Sequence, residues 1–132
     1  MPDSRPVLPA YARSLGIEFA EPGDGAPIVS VAFDQAVEGR PGHLHGGAIS
    51  GLLETAGYAL LGSELAAAGR PSSMKPINIT VQFLAAGKRE TTYAQARLTK
   101  LGRRTANITV EAWQSDPARP VASAIMNVMV QE

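Results

Sequence analysis

The chain has 132 residues, 45% of them hydrophobic, which suits one domain with its own core and leaves too little for two. Its 12 basic residues balance 12 acidic ones, which removes the general attraction that nucleic-acid binders depend on. Cysteine is absent, which excludes disulfides, thiolate metal sites and cysteine nucleophiles. With no signal-like start and no apolar stretch long enough to span a membrane, we expect a cytoplasmic protein with a single domain over residues 1–132.

The first part of the chain is predicted to contain a short helix and two strands. The helix is expected around residues 8–15, and a strand starts near residues 16–19. After a turn-rich segment at 21–25, apolar and polar residues alternate from Pro27 to Val37, which predicts a half-buried strand. The residues expected on its buried face are Val29, Val31 and Phe33, and those on the other face are Ser30 and Asp34.

A long helix is predicted from Gly46 to about Ala68, because the apolar spacing changes there from two residues to 3.6. Gly69-Arg70-Pro71 ends it. From Gly46 to Leu61 only Glu54 and Tyr58 are ionisable, so this helix should be buried on more than one side. Because the chain has one long helix, a partner chain would have to cover the second side.

Four strands are predicted after the helix. They are Met74 to Ala86, Thr91 to Leu101, Arg104 to Gln114 and Val121 to Gln131. The breaks between them are short enough for hairpins, which favours an antiparallel meander. The predicted fold class is therefore α+β, an antiparallel sheet of five to six strands wrapped around one long central helix.

Glu54 is the unusual residue of the helix. A carboxylate among leucines and small residues is costly to desolvate unless it is paired or functional, and desolvation raises the pKa of a carboxyl. The simpler alternative is a place on the solvated face, because Glu54 lies roughly 140° around the helix from Ile49. We expect the functional role.

The start of the helix contains two adjacent glycines, Gly46 and Gly47, preceded by His45. Unshielded N–H groups at the positive end of the helix dipole suit an oxyanion, although the glycines could also serve a tight turn. A donor at Gly47 and a base or nucleophile at Glu54 together indicate acyl transfer to water. The two lie about 10 Å apart along one helix, which is more than one reacting group spans, so they are expected to come from different chains of a dimer.

The run His45-Gly46-Gly47-Ala48-Ile49-Ser50-Gly51-Leu52-Leu53-Glu54-Thr55-Ala56-Gly57 resembles the HGGxxxxLxDxAxG motif of hotdog-fold acyl-CoA thioesterases, specifically the phenylacetate-pathway (PaaI-like) type. The likeness continues in residues 78–86 and 101–105. It implies a hotdog fold, a dimer with two sites at the subunit interface that is often paired into a tetramer, and hydrolysis of acyl-CoA. No cofactor is implied, since coenzyme A is part of the substrate.

The resemblance also implies roles for single residues. Gly47 would supply the oxyanion N–H, His45 would hold the loop, and Glu54 of the neighbouring subunit would act as base or nucleophile. Contacts with the substrate are expected from Gly46, Tyr58, Ser73, Arg103 and Arg104.

Three positions depart from the family pattern. Many relatives carry Asp where this chain has Glu54. They also tend to have Asn six residues before the motif histidine, where this chain has Gly39. Relatives often have a Ser or Thr near the start of the next strand that assists the reaction. In this chain the nearest counterparts are Ser72 and Ser73, which are out of register with that position.

Other functions are weighed against this one. The cations at the predicted hairpins, Arg103 and Arg104 among them, are either solvated turn charges or contacts to the phosphates of coenzyme A. His43 and His45 form no recognised zinc set. A non-catalytic acyl-CoA-binding protein is the first alternative, favoured by Gly39. Enoyl-CoA hydration ranks third, because no Asp lies near His45 in the sequence.

Overall fold

The structure, a computed structural model, describes residues 7–20 and 25–132. All but the last residue of the turn-rich segment expected at 21–25 lies outside this part of the chain. In chain order the elements are α1 (Ala10–Ser14), β1 (Glu18–Phe19), β2 (Ile28–Val31), a 3-10 helix (Gln35–Val37), α2 (Gly46–Ala67), β3 (Met74–Phe83), β4 (Thr92–Leu101), β5 (Thr105–Trp113) and β6 (Ala122–Val130).

The six strands form one antiparallel sheet in the order β1-β2-β4-β5-β6-β3, and α2 packs against it. This is the predicted hotdog arrangement of one long helix on an antiparallel sheet. The helix ends where expected, since Gly69 adopts the left-handed conformation with φ +67° just beyond it.

The meander prediction is wrong for β3, which pairs with β6 at the far edge of the sheet and not with β4. Residues 84–91 do not form a hairpin. They cross the end of the sheet, where the N–H groups of Leu84 and Ala85 both donate to the carbonyl of Val121. Pro76 suits an edge strand because it has no N–H to donate, and the pairing with β6 shifts register beside it.

The strand expected from Pro27 to Val37 is also shorter than predicted, because β2 ends at Val31. Asp34 accepts a hydrogen bond from the N–H of Ala36 at 2.8 Å and so begins the 3-10 helix in place of further strand. Ser30 is buried as well, since it lies between its neighbours on β1 and β4. The strand is therefore buried on both faces.

At Gly57, α2 lies close against the sheet. A Cβ at this position would lie 2.3 Å from Sδ of Met126 and 3.6 Å from Cγ2 of Val110. Met126 is itself 2% exposed, so it has little room to move. The helix can rest on β5 and β6 at this depth only because residue 57 has no side chain.

We expect Gly57→Ala to lower the free energy of unfolding by about 1–3 kcal/mol, because the added methyl group overpacks the core. Gly62→Ala is the matched control on the same helix. The nearest atom to its Cβ would be Cε of Met74 at 4.0 Å, so it should stabilise by about 0.5–1 kcal/mol through helix propensity. Urea unfolding of both variants measures the difference, and equal midpoints would contradict it.

Candidate active site

The loop that leads into α2 is held by backbone hydrogen bonds on both sides. Glu38 and Leu44 form a β-bridge across it. The N–H of His45 donates to the carbonyl of Val37 at 2.7 Å, and that of Leu44 donates to the carbonyl of Gly87 at 3.0 Å. These bonds fix the position of the first turn of α2 relative to the sheet.

Position 39, where the family pattern has Asn, leaves little room for a side chain. A Cβ on Gly39 would lie 3.0 Å from Cα of His45, and the N–H of Gly39 donates to the carbonyl of His43 at 2.9 Å. The close approach of the loop to itself explains why glycine stands here.

His45 caps α2 with its side chain. Its Nδ1 accepts a hydrogen bond from the N–H of Gly47 at 2.8 Å, and its carbonyl accepts from Ala48 and Ile49. The N–H expected to be free at Gly47 is therefore engaged in this structure. Within the described residues the N–H of Gly46 makes no hydrogen bond, so the first amide of the helix is the available donor.

A small cavity of about 310 Å³ lies at the start of α2. It is lined by Gly39, Arg40, His43, Leu44, His45, Gly46, Ile49, Phe83, Ala85, Ala86 and Gly87. The positive end of the helix dipole and an unengaged amide in its wall favour a negatively polarised oxygen there.

A larger groove of about 920 Å³ runs along α2 on another face. Its walls are Val7, Leu8, Pro9, Tyr11, Gly51, Glu54, Thr55, Tyr58, Ala59, Gly62, Ser63, Ala66, Ser72 and Met74. The members from α2 recur every three or four residues, so they share one side of the helix. That side is not covered by the sheet.

Glu54 lies in the wall of this groove and is exposed in the single chain. The sequence predicted that the carboxylate of Glu54 is desolvated, and for a single chain this prediction is wrong. The position off the apolar stripe, about 140° from Ile49, explains the exposure, because Leu52 and Leu53 are fully buried and Glu54 projects elsewhere.

Tyr58 lies one turn after Glu54 in the same wall. Its hydroxyl oxygen is buried and has no hydrogen-bond partner among the described residues. Burial raises the pKa of the Tyr58 phenol above its ordinary value of 10.0, and the negative charge of Glu54 raises it further. The phenol therefore keeps its proton at neutral pH.

The edge strand β3 carries a strip of exposed apolar side chains, here called the edge strip, made of Ile77, Ile79, Phe83 and Leu84. Ile79 is paired with the buried Met126, so it lies on the sheet face that carries α2. Phe83 lies close to the start of α2, since a Cβ on Gly46 would be 3.4 Å from its ring. The edge strip thus runs beside α2 and is left open.

Ser73, Arg103 and Arg104 are not brought to the helix start. Ser73 is exposed, and its neighbour Ser72 lines the groove in its place. Arg70, just beyond the other end of α2, donates to the carbonyl of Arg103 at 3.0 Å. The 22 residues of α2 span about 33 Å, so the predicted arginines lie at the far end of the helix within one chain.

Two further arginines lie near the helix start: Arg40, which the sequence did not single out, and Arg89, which is one of the cations at the predicted hairpins. Arg40 lines the small cavity. Arg89 forms an ion pair with Glu38 at 3.9 Å, and its guanidinium lies 5.9 Å from the ring centre of Phe33. The position of Arg40 five residues before His45, where the helix motif begins, was the available signal, whereas Arg89 reaches the loop only through the fold.

The described residues contain no group of three or more His, Asp or Glu side chains placed to hold a metal ion. None of their helices has the length and apolar content that a membrane crossing requires.

Comparison with known proteins yields a family and several solved structures. The family model described as the thioesterase superfamily matches residues 41–121. A protein of Chromobacterium violaceum is 31% identical, with a TM-score of 0.73 over 92% of this chain and 83% of that chain. No curated protein matches.

Two more distant structures share the fold. A thioesterase from Haemophilus influenzae is 20% identical, with a TM-score of 0.80 over 91% of this chain and 81% of that chain. A phenylacetic acid degradation-related protein from Ralstonia eutropha is 23% identical, with a TM-score of 0.75 over 95% of this chain and 92% of that chain.

Proposed function

The chain belongs to the thioesterase superfamily and is a thioesterase, and we propose that it hydrolyses an acyl-CoA to the free acid and coenzyme A. The observation that carries this proposal is Glu54, a carboxylate in the wall of an otherwise largely apolar groove. The groove suits an aromatic or a short to medium acyl group. Similarity to a thioesterase and to a phenylacetic acid degradation-related protein supports the same chemistry.

Glu54 acts as general base or as nucleophile. As a base it takes a proton from water, the oxygen of which attacks the thioester carbonyl carbon. As a nucleophile it attacks that carbon itself, and water then hydrolyses the resulting anhydride. In both routes the C–S bond breaks and coenzyme A leaves as the thiol after gaining a proton.

The oxyanion donor that the geometry favours is Gly46. Its N–H is unengaged, whereas the N–H of Gly47 would have to leave Nδ1 of His45 before it could bind substrate. In this arrangement His45 holds the first turn of the helix while the adjacent amide polarises the thioester carbonyl.

The donor and the acid are proposed to come from two chains of a homodimer. Gly46 and Glu54 are about 12 Å apart along the helix axis, which is too far for one carbonyl to meet both. The edge strip supports a partner at this place, since one edge of β3 has no strand neighbour among the described residues and exposes apolar side chains beside α2. Antiparallel pairing of two β3 edges would bring the helix start of one chain towards the groove of the other.

The phosphates of coenzyme A are proposed to contact Arg40 and Arg89. Both lie near the start of α2, where the thioester carbonyl is held, and a guanidinium fork suits phosphate oxygens. Arg103 and Arg104 are about a helix length away within the same chain.

We expect Glu54→Gln and Glu54→Ala to lower kcat for acyl-CoA hydrolysis by about 10²–10⁴-fold, because the proton acceptor or nucleophile is lost. Glu64→Gln is the matched control, since Glu64 lies on the same helix but lines a different hollow. Release of free thiol measures the rates. Unchanged release from Glu54→Gln would remove Glu54 from the mechanism.

Gly46→Pro should lower kcat by about 10²–10³-fold with little loss of stability. Proline lacks the N–H yet is accepted at the first position of a helix, and the extended backbone of His45, φ −67° and ψ 134°, suits the residue before proline. Gly46→Ala keeps the N–H and should keep most of the activity. Full activity of Gly46→Pro would argue that another amide binds the oxyanion.

Ile79→Lys should give a monomer with strongly reduced hydrolysis, because it places a charge in the middle of the edge strip. The matched control is Ile125→Lys, which changes an exposed isoleucine that pairs with Thr80 and lies on the opposite face of the sheet. Light scattering during gel filtration gives the mass, and thiol release gives the rate. A dimeric and active Ile79→Lys protein would place the interface elsewhere.

A further inference from the structure

The hydroxyl groups in the groove are not equally engaged. The hydroxyl of Thr55 donates to the carbonyl of Gly51 at 2.7 Å. Tyr11 is 62% exposed, so its side chain is largely open to solvent. The hydroxyl of Tyr58 differs from both, because it is buried and no described residue pairs with it.

A buried hydroxyl without a partner destabilises a protein, and such groups in native structures call for an explanation. A trapped water needs two to four polar partners. Around Tyr58 the hydroxyl of Thr55 already donates to Gly51, and Ala59 and Gly62 present no polar side chain. The carboxylate of Glu54 lies one turn away but makes no hydrogen bond with the Tyr58 hydroxyl. These surroundings favour a hydrogen-bond partner that belongs to a largely apolar ligand, such as an acyl group.

We propose that Tyr58 is a specificity-determining residue whose hydroxyl donates a hydrogen bond to an oxygen substituent of the acyl group. The enzyme would then prefer thioesters with a hydroxyl or carbonyl oxygen on the acyl group over the same thioesters without it. This inference rests on the proposed acyl-CoA hydrolysis in the groove that contains Glu54.

The position of Tyr58 defines which part of the acyl group carries the oxygen. Tyr58 follows Glu54 by four residues, about 6 Å along the helix axis, and Glu54 works at the thioester carbonyl. The substituent therefore lies beyond the carbonyl carbon, on the side away from coenzyme A. The apolar side chains of Val7, Leu8 and Pro9 line the same groove.

The phenol remains a donor under ordinary conditions, because burial and the nearby carboxylate both oppose its ionisation. A site built to pair a hydroxyl discriminates strongly against an analogue without that oxygen, since the buried group is then left unpaired. We therefore expect the wild-type protein to prefer a thioester whose acyl group carries the oxygen over the same thioester without it.

The experiment compares matched thioesters in wild-type protein and in Tyr58→Phe. The pairs are hexanoyl-CoA with its 3-, 4- and 5-hydroxy derivatives, and phenylacetyl-CoA with its hydroxylated derivatives. We expect wild type to favour at least one oxygenated member by about tenfold or more in kcat/KM. In Tyr58→Phe that ratio should fall to near one, through loss of activity on the oxygenated member alone.

Tyr93→Phe is the matched control, because Tyr93 stacks on Trp113 away from the groove and its loss should leave the ratio unchanged. Tyr58→Phe removes an unpaired buried hydroxyl without changing the ring, so its melting temperature should be at least that of wild type. Equal slowing of both members of every pair, or an unchanged ratio, would overturn the inference and leave hydrolysis intact. Failure of the wild type to hydrolyse any of these thioesters would overturn the proposed function as well.

Discussion

The packing of α2 on the sheet is the constraint from which the candidate site follows. Gly57 lets the helix approach Met126 closely, and the buried face that includes Leu52 and Leu53 is filled by this contact. With that face fixed, the remaining side of the helix carries Glu54 and Tyr58 into the groove one turn apart. The candidate functional side chains are thus held by a rigid element whose rotation is set by the core.

The sequence predicted the elements well and their order in the sheet less well. Helical periodicity and a terminal glycine gave α2 nearly to the residue, and β4 to β6 form the predicted meander. The place of β3 depended on contacts distant in sequence, although Pro76 was a local signal for an edge strand. The early end of β2 came from Asp34, whose side chain competes with strand pairing.

At the candidate site the sequence identified the residue types but not their hydrogen bonds. Helical geometry placed Glu54 off the buried stripe, which agrees with its exposure in one chain. Periodicity cannot show that the ring of His45 turns back onto Gly47, or that the loop leaves little room at Gly39. Both depend on how residues 38–45 fold against β-strand ends and the loop after β3, which is a tertiary effect.

The pairing of β3 with the last strand has a consequence for biosynthesis. A ribosome that adds residues one after another releases β3 well before β6, and β3 has no other strand neighbour in the described chain. The edge strip can therefore be displayed in its native form only once the C-terminal residues have emerged. Pairing through this edge, as proposed for the dimer, would then have to wait until each chain has finished folding.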